Sequence, residues 1–277
     1  MANPTPSTEV RAEFAPTPLI QWPRAKWWTR DFNPVIGCHK VSPACANCWA
    51  CEWAKRFKQS FEPHRSSKKT PPNRGVVFAG GLTDLFGDWL TVVESASFIA
   101  SAASRAKDTD ATYIWLTKRV DRMEQAISLV GENSNIDKWL QNHYFGFTAE
   151  NQEWYDKRFR ESCKIPSWAN WWISAEPLLG PIDLNLTDRH PITGSLGTLP
   201  HPPSWIVVGS ESGSNRRPCK MEWVESIVEQ CLAANVPVFV KQICLPNGKF
   251  TNKIEEFPEH LRIRQVPWAK ESQTNKN

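Results

Sequence analysis

TYIWLTKRVDRMEQAISLV, residues 112–130, is the stretch from which the fold can be read. It opens with a continuous apolar and β-branched run, TYIWLT, the pattern of a strand covered by helices on one face and packed on the other. It closes with VDRMEQAISLV, which has helical composition. Between them a charged residue, Lys118, marks the C-terminal edge of the strand.

The same unit recurs along the chain. FNPVIG (32–37), GVVFAG (75–80), YFGFT (144–148), WWISA (171–175), WIVVG (205–209) and VPVFV (236–240) are further strand candidates, and helical stretches at 90–106, 151–163 and 221–235 lie between most of them. Strands alternating with helices predict crossover connections and a parallel sheet. The strands also end alike, on Asp84, Lys118, Glu150, Glu176, Glu211 and Lys241. These residues recur at intervals of roughly 30 residues, the length of one βα unit. A charge where a strand meets solvent would explain any one of them, but the whole set in register predicts a shared polar mouth. The expected fold is α/β, a partial (β/α) barrel of six or seven parallel strands. It occupies residues 21–267 as a single domain, with flexible segments at 1–20 and 268–277.

The 277 residues, 40% hydrophobic and 22% charged, suffice for a substantial core. No apolar run is long enough to span a bilayer, and the N-terminus has neither a basic start nor an apolar stretch like a signal peptide. The chain therefore reads as cytoplasmic, without membrane contact. Thiols stay reduced in that compartment, so a dense cysteine cluster indicates a metal or cofactor site rather than disulfides.

Such a cluster follows the first strand candidate. CHKVSPACANCWAC, residues 38–51, holds four of the eight cysteines. Cys38, Cys45, Cys48 and Cys51 could close around a structural zinc, yet Cys45-x2-Cys48-x2-Cys51 is a cramped set; zinc sites with four cysteines usually pair two separated CxxC knuckles, and no CxxC lies elsewhere in the chain. Cys163, Cys219, Cys231 and Cys244 stand alone and read as small buried apolar residues. The other reading is an iron–sulfur cube on three thiolates, with one iron left open to a substrate or cofactor.

FNPVIGCHKVSPACANCWA (32–50) resembles the signature of a phage-associated, three-cysteine, radical-SAM-like family of phage proteins of unknown function. Similar blocks continue in order: FAGGLTDLFGDW, IWLTKRVDRM, FTAENQEWYDKRF, SAEPLLGPIDL, VVGSESGSNRRP and VFVKQ. Trp49 replaces a usual tyrosine, Ser210 replaces a usual glycine, and Cys51 is additional. The resemblance implies a [4Fe–4S] cluster on Cys38, Cys45 and Cys48, with S-adenosylmethionine on the open iron. It also implies an enzyme that cleaves this cofactor to a 5′-deoxyadenosyl radical, using an external low-potential electron donor. Gly80 and Gly81 would admit the cofactor's backbone-close groups, and Thr148 and Glu150 would meet its ribose. Asp84 and Ser210 complete the expected cofactor wall. Glu176, Glu211 and Lys241 are the expected catalytic groups.

The charge distribution suggests the substrate. Residues 52–74 carry Lys55, Arg56, Lys58, Arg65, Lys68, Lys69 and Arg74 against Glu52 and Glu62, a net +5 that exceeds the +4 of the whole chain. With Lys118, Arg216, Arg217 and Gln242 as substrate contacts, this rim suits a nucleic acid or a nucleoside phosphate. The favoured activity is a lyase or a nucleic-acid modification or repair reaction. Two alternatives stand beside it: a zinc-binding nucleic-acid-binding protein, and a cluster-binding accessory subunit of a partner protein.

Overall fold

The computed structural model describes residues 20–67, 70–131, 136–186 and 202–268. Its centre is an eight-stranded sheet in which seven strands run parallel. These are β1 (Arg30–Phe32), β2 (Val76–Ala79), β3 (Thr112–Thr117), β4 (His143–Thr148), β5 (Asn170–Ala175), β6 (Trp205–Gly209) and β7 (Val238–Cys244). The short β8 (Phe250–Thr251) adds antiparallel to β7 at one edge. Each parallel strand pairs with its predecessor in the chain, so the sheet winds in one direction only.

Four long helices, α2 (Val92–Ala106), α3 (Val120–Gly131), α4 (Gln152–Ser162) and α5 (Met221–Ala233), contribute buried residues to one core cluster. They therefore cover a single face of the sheet. The opposite face carries a second cluster with no helical member, in which Trp27, Trp172, Trp205 and Trp268 meet edge to face or tilted. The alternation of strand side chains sends Phe78, Ile114, Tyr144 and Phe239 to this second face. Five of the 15 tryptophans are thus core residues of a sheet face that none of the described helices covers.

α2 shows how a helix start is written in sequence. Thr91 Oγ1 accepts from the Glu94 backbone N–H while the Glu94 carboxylate accepts from the Thr91 N–H, closing a capping box. No described helix is long and apolar enough to cross a membrane.

Six strand candidates and all four helical stretches coincide with observed elements within a few residues. The first does not: the sheet strand is Arg30–Phe32, and 32–37 breaks in two. Pro34 has no N–H to give a ladder, and Asn33 Oδ1 turns to accept from Leu82 N–H at 2.9 Å. Val35–Ile36 then pairs antiparallel with His64–Arg65, closing off the cysteine segment as a loop of its own. The segments expected to be flexible lie outside the described residues except at their inner ends. Ile20 is strand-paired with Val266, and Trp268 is buried, so both belong to the folded body.

Candidate functional site

A cavity of about 350 Å³ opens at the C-terminal edge of the parallel sheet. Asp84, Lys118, Glu176, Glu211 and Lys241, all strand-end charges, line it together with Cys38, Cys45 and Cys48. Thr148, Gly80 and Gly81 also stand in its wall.

The cysteine segment is held above the sheet by backbone and side-chain bonds from several elements. Cys38 N–H donates to Phe61 O at 3.1 Å, and Thr83 Oγ1 donates to Gly37 O at 2.6 Å. A short 3-10 turn over Pro43–Cys45 follows, closed by Cys45 N–H to Ser42 O at 2.9 Å. Cys48 then stands at the N-terminal boundary of α1 (Trp49–Arg56), with no side-chain capping bond. Cys51 lies on α1 and is not among the residues lining the cavity.

Asp84 organises one side. Its buried carboxylate accepts from Thr117 Oγ1 at 2.7 Å, Phe86 N–H at 3.0 Å, Lys118 N–H at 3.1 Å and Arg119 Nη1 at 3.1 Å. So satisfied a carboxylate is a structural hub rather than a free contact for a ligand. Arg119 continues to His39 O at 3.3 Å, reaching the cysteine loop. Burial, reinforced by Asp84, pushes the Cys38 thiol up to about 12, against the pull of Arg119. At Cys45 burial also opposes the thiolate, but Lys118 and hydrogen bonds at Val41 and Ser42 outweigh it, and the pKa falls below the ordinary thiol value. Lys118 itself makes no ion pair among the described residues.

Glu176 and Lys241 form the centre of the opposite wall. Lys241 Nζ donates to the two carboxylate oxygens at 2.7 and 3.0 Å, and Gln242 Nε2 adds a third bond at 3.0 Å. Lys241 reaches the cavity because β7 bulges: Val240 pairs with Val208 and Gln242 with Gly209, leaving Lys241 as the extra residue. Gln242 is buried, with a further bond to Ser210 O at 2.6 Å, and acts through Glu176 rather than at the cavity surface.

Glu211 is held by Arg217, which donates from its backbone N–H at 2.8 Å and from Nε at 3.0 Å. Asn47 Nδ2 adds a bond at 3.0 Å. Burial would raise the Glu211 pKa, but these donors hold it below the ordinary carboxylate value. Arg217 Nη1 also reaches Pro43 O at 3.0 Å, so the loop after β6 grips the cysteine loop at two points.

Two expected cofactor contacts lie elsewhere. Glu150 is fully buried and ion-paired with the equally buried Arg158 of α4, which also donates to Thr148 O at 2.7 Å. Two residues beyond β4 the chain has turned, and the side chain points under the cavity into the helix layer. Ser210 is fully buried too, its hydroxyl without a partner among the described residues, and the nearby Ser212 lines the cavity instead. Arg216 and Arg217 line a second, shallower cleft of about 840 Å³ with Lys220 and Trp223, beside the first. Arg119, Asn47 and Trp28 are site residues that strand-end charge alone does not reveal. Arg119 follows Lys118 directly, and Asn47 sits between two cysteines, so position in the motif was the available signal.

All eight cysteines are free thiols, and the three expected ligands open on one cavity. Gly80, at φ +82°, occupies a backbone conformation that suits glycine, and a Cβ there would stand 3.2 Å from Leu85. A Cβ on Gly81 would stand 3.2 Å from Phe78. At both positions a side chain would press on the residues that pack behind the wall. Among the described residues no three His, Cys, Asp or Glu side chains form a group that would hold a metal ion. A four-iron cube gives each thiolate a different iron, so its ligands stand apart around the cube. Thiolate is the ligand type that such a cube takes, so the three cysteines match it in donor chemistry.

No curated protein and no solved structure matches the chain. A family model described as a protein of unknown function (DUF5131) matches residues 23–256, and the chain belongs to that family.

Proposed function

We propose that the protein is a radical-SAM-like enzyme of partial-barrel architecture, with a [4Fe–4S] cluster on Cys38, Cys45 and Cys48 and S-adenosylmethionine in the adjoining cavity. The observation that carries this reading is that these three cysteines share one cavity with Gly80, Gly81, Thr148 and the strand-end charges. Once bound, the cluster would supply the electron for reductive cleavage of the cofactor's sulfonium, and so for hydrogen abstraction from a substrate.

The chain's own residues have separable tasks. Cys38, Cys45 and Cys48 bind the cluster. Asn47 and Arg217 fix the loop that carries two of them against Glu211. Trp28, Phe78 and Leu116 make the cavity wall apolar and limit water at the reacting centre. Lys241 and Glu176 form a hydrogen-bonded acid–base pair positioned to give or take a proton at Lys241 Nζ. Lys118 offers an unpaired cation to a carboxylate or phosphate of the bound molecules.

A nucleic acid or modified-nucleoside phosphate is the substrate class favoured by the unneutralised cations in the cavity and on the helix that follows the cysteine loop. Arg217, Lys241, Arg65 and Lys55 are each paired with a carboxylate. Lys118, Arg56 and Lys58 have no such partner among the described residues, and Lys68 and Lys69 lie outside them. An external low-potential electron donor completes the scheme, and a partner protein would supply it or the substrate. A lyase or a nucleic-acid modification or repair reaction fits this chemistry.

The test is turnover. Protein purified without air, reduced and given S-adenosylmethionine, is expected to release 5′-deoxyadenosine. Tight cofactor binding with no product under strong reduction would favour the accessory-subunit reading. A colourless protein carrying zinc would favour a nucleic-acid-binding protein without catalysis.

A further inference from the structure

α1 is packed with its small side chains inward and its large ones outward. Ala50 and Ala54 are buried against the body of the protein. Trp49, Trp53 and Phe57 follow one another at four-residue spacing, which places them on one side of the helix. Trp49 is 47% exposed and Phe57 55% exposed, and Trp53 lies partly exposed between them, its ring centroid 5.1 Å from that of Phe57. An amphipathic helix normally buries its aromatics. A row with its two outer rings largely in water and the third half-buried between them, about 12 Å from first to last at 1.5 Å per residue, gives up part of that stabilisation and marks a binding surface.

Two further observations identify the occupant. The ridge begins at the cavity, because Trp49 is itself a lining residue of that mouth. The ridge is also flanked by positive charge. Arg56 and Lys58 have no carboxylate partner among the described residues, the Arg56 guanidinium lies 6.0 Å from the Phe57 ring centre, and Lys40 stands on the adjoining cysteine loop. Aromatic faces in a row with cations alongside match a chain of alternating flat rings and phosphates. A protein partner would use the rings without needing the cations.

We infer that α1 is a stacking platform for single-stranded nucleic acid. Bases lie on Trp49, Trp53 and Phe57, and phosphates run along Lys40, Arg56 and Lys58, so that the strand is led to the cavity mouth at Trp49. The inference rests on the nucleic-acid reading of the proposed substrate and extends it to unpaired strands, whose bases are free to stack. It also gives a role to Trp49, the position at which this sequence departs from the tyrosine usual in the resembling family.

The experiment is fluorescence anisotropy with a labelled oligothymidylate single strand, a blunt duplex of the same length, and inorganic polyphosphate as a competitor that has charge but no bases. It uses the full chain purified without air, with iron content determined on the same samples. Trp49→Ala and Phe57→Ala are each expected to weaken single-strand binding by about tenfold while leaving competition by polyphosphate unchanged. Trp49→Phe and Phe57→Tyr, which keep a flat ring, are expected to restore it. Lys58→Gln is expected to lower the salt dependence by about one phosphate contact. The inference is overturned if the single strand does not bind, if the alanine variants bind it as the wild type does, or if they lose polyphosphate equally. It is also overturned if the rings instead mediate self-association that Trp49→Asp abolishes. Iron content and 5′-deoxyadenosine release report separately on the cavity. A protein active on S-adenosylmethionine that ignores oligonucleotides would lose the platform alone, and one that binds strands through its rings but holds no iron would lose the enzyme alone.

Discussion

Asn47 Nδ2 lies 3.0 Å from Glu211 Oε2 and 2.7 Å from Asn215 O, tying the loop between Cys45 and Cys48 to the segment after β6. The two residues are 164 positions apart in the chain. This contact fixes two of the three proposed thiolate ligands relative to the sheet, and the Arg217 bond to Pro43 O fixes them a second time.

Asn47→Ala is therefore expected to fold, at a cost of about 1–2 kcal/mol for the lost bonds, while the loop becomes looser. Chelator challenge of the iron-loaded protein measures the consequence. Faster iron release than in the wild type, with the denaturation midpoint lowered by no more than that cost, is the predicted result. Equal release would mean that Arg217 and the backbone bonds hold the loop unaided.

Glu150 and Arg158 are predicted to serve stability. Arg158→Met leaves a carboxylate buried without its partner and is expected to destabilise the protein by about 3–5 kcal/mol in chemical denaturation. The double variant Glu150→Leu/Arg158→Met should recover most of that loss, because neither charge then remains. If the double variant is as unstable as the single one, the pair is not compensating buried charge in this way.

Lys241 and Glu176 are predicted to serve chemistry. Lys241→Met keeps the length of the side chain and removes its proton, so iron loading should persist while 5′-deoxyadenosine release coupled to substrate falls by at least about a hundredfold. Unchanged turnover would reduce this ion pair to a structural tie across the cavity.

His143 supplies a pH dependence. It is fully buried between Tyr113 and Phe145, its Nδ1 accepts from Trp115 Nε1 at 3.1 Å, and burial lowers its pKa from 6.5 to about 3. The unfolded chain then binds a proton that the folded one refuses. The favourable contribution is complete above the unfolded value and is lost as pH falls towards the folded one. Stability should decline between pH 6.5 and about 3 with a slope of up to about 1.4 kcal/mol per unit from this group. His143→Phe, which cannot titrate, should flatten that slope in denaturation midpoints measured across the range. An unchanged slope would assign the acid sensitivity to other groups.

Much of this architecture is legible in the sequence because buried parallel strands are continuous apolar runs, and TYIWLT and WIVVG cannot be mistaken for amphipathic surface. The strand ends were legible as well, since Asp84, Lys118, Glu176, Glu211 and Lys241 all reach one cavity. What failed was direction. Glu150 stands at a strand end like the others, but one extra turn of chain sends it to Arg158, eight residues on, and no spacing rule distinguishes the two outcomes. The partners of each charge were hidden for the same reason. Asp84 takes Arg119, Glu211 takes Arg217 and Asn47, and Lys241 takes Glu176 through a bulge that sequence does not announce. The misplaced first strand has a local cause in Asn33 and Pro34.

The central claim is that Cys38, Cys45 and Cys48, without Cys51, hold a four-iron cluster. Iron and acid-labile sulfide per chain, measured on protein purified and reconstituted without air, test it most directly. About four of each are expected in the wild type and in Cys51→Ala, and a loss of cluster in Cys38→Ala, Cys45→Ala and Cys48→Ala. Full loading in any of those three variants, or loss of iron in Cys51→Ala with retention in Cys38→Ala, would contradict the account.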